Sequence, residues 1–153
     1  MVTIVPEPFD SPDGRRLNDA YFSELRTRFP AGYDPAAGMP TLRHDLTPPN
    51  GIFYVTQDEE AVVACGALKV LDGTTGEVKH MYVQPGHRGR GIGAQILAAV
   101  EQHARSLGMT RVVLDTNGCL TEAVTMYEQK GYVSIEPYND NEWATHWFSK
   151  ELG

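Results

Sequence analysis

The chain has 153 residues and a mass of 16.9 kDa, 41% hydrophobic and 22% charged, which suits one ordinary domain with a self-sufficient core and argues against disorder. Thirteen Lys and Arg against 20 Asp and Glu give 13 − 20 = −7 and a pI near 5.1, a balance that repels phosphate backbones and anionic lipid and disfavours a nucleic-acid or membrane binder. Cys65 and Cys119 form no C-x-x-C pair, so neither a disulfide framework nor a zinc site has support.

In chain order, the first residues carry no basic then apolar leader, so a cytoplasmic, unsecreted domain is expected. Thr3–Val5 reads as a short strand before Pro6, Pro8 and Pro12. From Gly14 to Phe29, Leu17, Tyr21, Leu25 and Phe29 recur at i, i+4, i+8 and i+12, an amphipathic helix stopped by Pro30. Residues 30–50 are punctuated by proline and glycine and predict a long irregular loop. Ile52–Thr56, Ala61–Leu71 and Glu77–Val83 read as strands joined by short turns, hence antiparallel. The longest apolar run, Ala61–Leu68, is far below the ~20 residues a membrane span needs.

A helix is predicted over Gly91–Leu107, with Ile92, Ile96, Val100, Ala104 and Leu107 on one face and Gly108 at its stop. Arg111–Asp115 follows as a buried strand, Leu120–Lys130 as a second amphipathic helix ending at Gly131, and Tyr132–Ile135 and Trp143–Leu152 as closing strands. Trp143 and Trp147, four apart on that last strand, are expected to point the same way. An antiparallel meander followed by β-α-β-α-β predicts a mixed α/β sheet.

Chemistry concentrates in Val83-Gln84-Pro85-Gly86-His87-Arg88-Gly89-Arg90-Gly91-Ile92-Gly93. This strand-to-helix turn offers unpaired amides and the positive end of a helix dipole, a natural site for a diphosphate. Gly89, Gly91 and Gly93 keep Cβ atoms out of the way, and Arg88 and Arg90 add positive charge. Gly89-x-Gly91-x-x-Ala94, with Asp115 at 115 − 94 = 21 positions on, also fits a dinucleotide pattern and leaves an NAD-dependent oxidoreductase as an alternative. Antiparallel strands before the turn, and only about sixty residues after it, argue against that alternative. No Gly-Lys-Ser/Thr occurs, so a P-loop is excluded.

These residues resemble the GNAT superfamily of N-acetyltransferases, which bind acetyl-CoA. The family's R/Q-x-x-G-x-G/A signature is matched by Arg88-x-x-Gly91-x-Gly93, its fourth strand by Glu77–Pro85, and the end of its last helix by Met126–Tyr132. The resemblance implies a mostly antiparallel sheet of six to seven strands, helices on both faces and a splayed central strand pair. It implies one N-acetyltransferase domain over 1–153 with a cofactor-binding core at about 77–135. The donor would be acetyl-CoA, with no metal, and the acceptor a primary amine attacking directly. A non-catalytic acyl-CoA-binding module is the alternative from another class.

Residue by residue, the resemblance places the pantetheine arm along Met81, Tyr82 and Val83 and the diphosphate on amides from Arg88, Gly89, Arg90, Gly91, Ile92 and Gly93. Tyr127 would lie near the thioester sulfur and protonate the departing thiolate. Glu77, 88 − 77 = 11 positions before the turn arginine, is the candidate general base, since an amine attacks only when unprotonated. A solvated strand-start glutamate is the alternative for Glu77, and a core aromatic for Tyr127. Where many members carry an asparagine, this chain has Leu120, and Asn117 is the candidate polar contact instead. Tyr33, His44, Lys79 and Tyr138 are candidate acceptor contacts, with Asp34, Asp45 and His80 as further possibilities. The acidic balance leans toward cationic amines such as polyamines, and the C-terminal strand offers an edge for a homodimer.

Overall fold

The computed structural model describes residues 2–29, 33–34, 41 and 43–153. Strand β1 (Val2–Pro6) leads into helix α1 (Pro12–Arg28). Ser11 caps that helix, its side chain accepting from the Gly14 amide at 3.0 Å, and Pro12 fills the first turn, where its missing N–H costs nothing. Arg26 and Arg28 sit in the last turn, where the dipole favours cations. Of the irregular stretch expected after α1, residues 30–32, 35–40 and 42 lie outside the described residues. Arg43–Leu46 forms a short 3-10 turn.

Strands β2 (Gly51–Asp58), β3 (Ala61–Val70) and β4 (Thr75–Val83) form the antiparallel meander. Asp72 fixes the β3–β4 turn, its carboxylate accepting from the amides of Thr74 at 2.8 Å and Thr75 at 2.9 Å. Helix α2 (Ile92–Ser106), strand β5 (Arg111–Thr116), helix α3 (Thr121–Gln129) and strands β6 (Val133–Ser134) and β7 (His146–Glu151) complete the chain.

The seven strands lie in one sheet in the order β1-β2-β3-β4-β5-β7-β6, with β4 and β5 as its parallel pair. Alternation divides the core. Val63, Ala64 and Leu68 pack with Ile92, Ile96, Leu97, Val100 and Ala104 of α2, whereas Cys65 and Ala67 pack with Phe53, Val55 and Leu17 of α1. Helices therefore cover both faces.

Two expectations are corrected. The last strand begins at His146, so Trp143 lies in the preceding turn. Trp143 packs on Tyr33 and Phe29, whereas the Trp147 indole donates to the Asn139 side chain at 3.0 Å, and the two rings do not share a strand face. Nor is the C-terminal strand an edge: β5 lies on one side of β7 and the two-residue β6 on the other. β1 and β6 are the edges.

Candidate active site

The central strands pair over only three positions, Thr75–Glu77 with Arg111–Val113, and then part. Just beyond, the β3–β4 register shifts: Ala67 faces Lys79 but Cys65 faces Tyr82, so β4 carries one extra residue. The bulge places His80 in the left-handed region at φ 55, a conformation in which histidine is enriched among non-glycine residues. Gln84 donates to the Val63 carbonyl at 2.9 Å, and backbone direction alternates along a strand, so Met81 and Val83 turn their backbone groups away from β3, toward the gap.

The gap leads to the glycine-rich turn. Gly89 and Gly91 adopt φ 80 and φ 78, with Gly91 as the cap of α2. Among the described residues, the amides from Gly89 to Ala94 donate to no backbone acceptor; the first turn of α2 closes with Gln95 donating to Gly91 at 3.1 Å. Six consecutive N–H groups at a helix N-terminus form an anion cradle.

Both arginines of the turn, Arg88 of the signature and Arg90 within it, already have carboxylate partners. Arg88 Nη2 meets Glu24 Oε1 of α1 at 2.7 Å, and its Nε donates to the Val83 carbonyl, also at 2.7 Å. Its guanidinium lies 5.7 Å from the centre of the Tyr82 ring. Arg90 Nη1 meets Asp58 Oδ2 at 2.6 Å, and that hydrogen bond holds the Asp58 carboxyl below the usual carboxylate range. Arg88 thus braces the turn against α1 and β4, and the Val83 carbonyl is engaged before any ligand arrives.

Glu77 sits where the strands part and is 6% exposed. Tyr138, in the β6–β7 loop, donates its hydroxyl to Glu77 Oε2 at 2.5 Å, and Lys79 Nζ lies 3.6 Å from Oε1. Asp115 pins the same loop, accepting from Asn139 Nδ2 at 2.6 Å and Asn141 Nδ2 at 3.2 Å. Burial, then the Glu77 carboxylate, push the Tyr138 phenol far above its ordinary value.

Tyr127 of α3 is 5% exposed and stacks edge-on against Tyr132, with ring centres 5.6 Å apart. Burial, with a smaller contribution from Asp115, raises its phenol well above 10, so it stays protonated at neutral pH. Tyr21 of α1, partly buried, lies between Tyr82 at 5.9 Å and His80 at 6.1 Å.

The structure brings together Glu77, Lys79 and Tyr138, and groups Met81, Val83 and Arg88–Gly93 along the gap and turn. Tyr33 joins an aromatic cluster with Phe22, Phe29 and Trp143. His44 is exposed and pairs with the Asn50 side chain at 3.0 Å, sharing no contact with the gap residues among those described. Both ends of the Asn117 amide are engaged, donating to the Trp143 carbonyl and accepting from the Cys119 amide, each at 2.9 Å. Sequence reasoning missed Glu24 and Asp58, the partners of the arginines, and the role of Asp115 as anchor of the 139–141 loop. Nothing local in the sequence announces these long-range pairs.

Comparison with known proteins agrees with this architecture. The family model of the acetyltransferase (GNAT) family matches residues 17–132, which is 132 − 17 + 1 = 116 of 153 residues. The chain is also 31% identical over 121 residues to the IAA acetyltransferase of Azospirillum brasilense, covering 78% of this chain and 74% of that protein. An acetyltransferase of the GNAT family from Staphylococcus aureus superposes with a TM-score of 0.84 at 18% identity over 100% of both chains. A GNAT acetyltransferase from Elizabethkingia anophelis with acetyl-CoA bound superposes at 0.66, with 19% identity over 98% of this chain and 97% of that one. At such identities the two structures speak for the fold alone. The chain belongs to the GNAT acetyltransferase family and is an acyltransferase. That membership removes the oxidoreductase alternative, and the Asp115 carboxylate a ribose would need is occupied by Asn139 and Asn141.

Proposed function

We propose that the protein transfers the acetyl group of acetyl-CoA to a primary amine by direct attack in a ternary complex. The observation that carries this reading is the continuity of the parted β4–β5 gap with six amides at residues 89–94 that find no backbone acceptor among the described residues. The gap suits an extended pantetheine arm pairing with Met81 and the Val83 amide, and the amides suit the diphosphate. Glu77 acts as the general base, directly or through one water, with Tyr138 holding Oε2 and the Lys79 ammonium 3.6 Å from Oε1, the oxygen that takes the proton.

Tyr127 faces the leaving thiolate. Its phenol is held above its ordinary value, and a thiol titrates near 8.5, so full proton transfer to the thiolate is uphill. It therefore stabilises the departing sulfur as a hydrogen-bond donor.

The test is steady-state release of free CoA thiol over an amine panel, with products identified by mass spectrometry. Glu77→Gln lowers turnover by 10²-fold or more, on the order of a lost general base, and Tyr127→Phe lowers it with acetyl-CoA affinity retained. Full turnover in both variants would refute the roles assigned to these residues.

A further inference from the structure

Six buried side-chain nitrogen or oxygen atoms lack a hydrogen-bond partner among the described residues, and three of them belong to two residues: Asn18 Oδ1, and both ring nitrogens of His80. Asn18 is 6% exposed and His80 9%. Orphaned atoms of this kind destabilise the folded chain unless something satisfies them, and so call for an explanation. Both residues line the same cavity of about 310 Å³ between α1 and the β4 bulge. His80 is, in addition, the bulge residue held at φ 55. Backbone strain and unsatisfied polarity meeting in one residue are the signature of a site organised for a ligand.

The remaining wall gives the ligand its character. Phe9 and Phe22 flank the imidazole, with ring centres 5.2 and 5.9 Å from it. Asp10, Arg15 and Asp19 line the cavity, two carboxylates against one guanidinium, and Asp10 is itself paired with Arg43 at 3.1 Å, so the excess of negative charge there is small. A volume of 310 Å³ lies at the small end of ligand sites. The imidazole belongs to the residue directly before Met81, so the cavity floor adjoins the strand segment along which the thioester would lie.

We propose that this cavity is the acceptor pocket, in which Asn18 Oδ1 and one bare nitrogen of His80 accept hydrogen bonds from the primary amine while Phe9 and Phe22 hold its apolar or aromatic carbon skeleton. This inference rests on the acetyltransferase reading above and gives it a substrate class: a small arylalkyl or alkyl amine rather than a polycation. His80 orients the nucleophile and takes no proton, because burial and the neighbouring Lys79 keep its ring neutral and a poor base. Proton removal stays with Glu77. Asn18 and His80 are specificity residues that the sequence did not single out as a pair.

The experiment measures KM for acceptor and for acetyl-CoA separately, in the wild type and in Asn18→Leu, Asn18→Ser and His80→Asn. The serine variant and the αL-tolerant asparagine guard against simple misfolding, which melting curves check. Each substitution raises acceptor KM about 5- to 100-fold, as loss of a buried hydrogen bond should, and leaves the acetyl-CoA KM within twofold. In the wild type, phenethylamine is acetylated in preference to spermidine. Unchanged acceptor KM in folded variants, equal damage to both KM values, or a preference for spermidine overturns the pocket assignment while the acetyltransferase reading stands. A wild-type protein that acetylates no amine overturns that reading and the pocket with it.

Discussion

Replacing His80 with asparagine removes one titrating group and keeps a residue type that tolerates the left-handed backbone at φ 55. Burial among Phe9, Tyr21 and Phe22, with Lys79 adjacent in sequence, lowers the imidazole to about 3 in the folded chain, against about 6.5 when it is unfolded. Between those values the unfolded state binds a proton that the folded state refuses. Stability contributed by the neutral ring is therefore complete above pH 6.5 and is lost as pH falls toward 3. The limiting slope is about 1.4 kcal/mol per pH unit, so the loss between pH 6.5 and 4.5 is on the order of 2 kcal/mol. Urea denaturation of wild type and His80→Asn across pH 4.5–7.5 reads this difference directly, because other titrating groups largely cancel. The wild type should lose on the order of 2 kcal/mol relative to the variant over the lower two units and almost nothing above pH 7. A difference that stays flat from pH 7.5 to 4.5 would refute the argument, since it would mean that the folded ring takes up its proton near the ordinary value.

Two further predictions test other parts of the structure. Burial pushes the Cys65 thiol up to about 12, and its Sγ donates to the His80 carbonyl at 3.2 Å, whereas Cys119 is half-buried; a thiol reagent at pH 8 should therefore label one cysteine of the native chain and two after denaturation, and equal native labelling rates would contradict this. Gly91→Val should cost about 1–2 kcal/mol and weaken acetyl-CoA binding through the φ 78 backbone alone, because nothing lies within 4 Å of a Cβ there. Gly86→Ala, equally open and without a positive φ, is the control and should match wild type in melting temperature and in affinity.

The elements of this fold were legible where the local pattern alone decides them. Apolar spacing along α1 and α2 and the glycines of the turn are short-range devices, and each produces the helix or turn that its sequence predicts, whereas the Ser11 cap, which starts α1 at Pro12 rather than Gly14, went unread. Spacing failed where the chain leaves regular structure. Trp143 and Trp147 have the separation of same-face strand residues, yet Asn139, Asn141 and Thr145 hold the segment before His146 in a turn, and the strand never reaches Trp143. The bulge was equally silent, because Lys79-His80-Met81 reads as ordinary strand and only the register against β3 shows the extra residue.

The candidate site divides along the same line. Its backbone half, the glycine-rich turn and the strand leading to it, is written in consecutive residues, since anion binding by amides needs only a permissive chain. Its side-chain half is assembled across the fold. Tyr138 reaches Glu77 from 61 positions away, Glu24 reaches Arg88 from 64, and Asn18 meets the same cavity as His80 from another element. The cofactor-facing half is a local device that many acceptor specificities can share, whereas the residues that orient an acceptor depend on how α1 and the β6–β7 loop pack over the gap. Substitutions on α1 at Asn18 should accordingly change which amine is used and leave acetyl-CoA binding untouched, while substitutions in the turn should do the reverse.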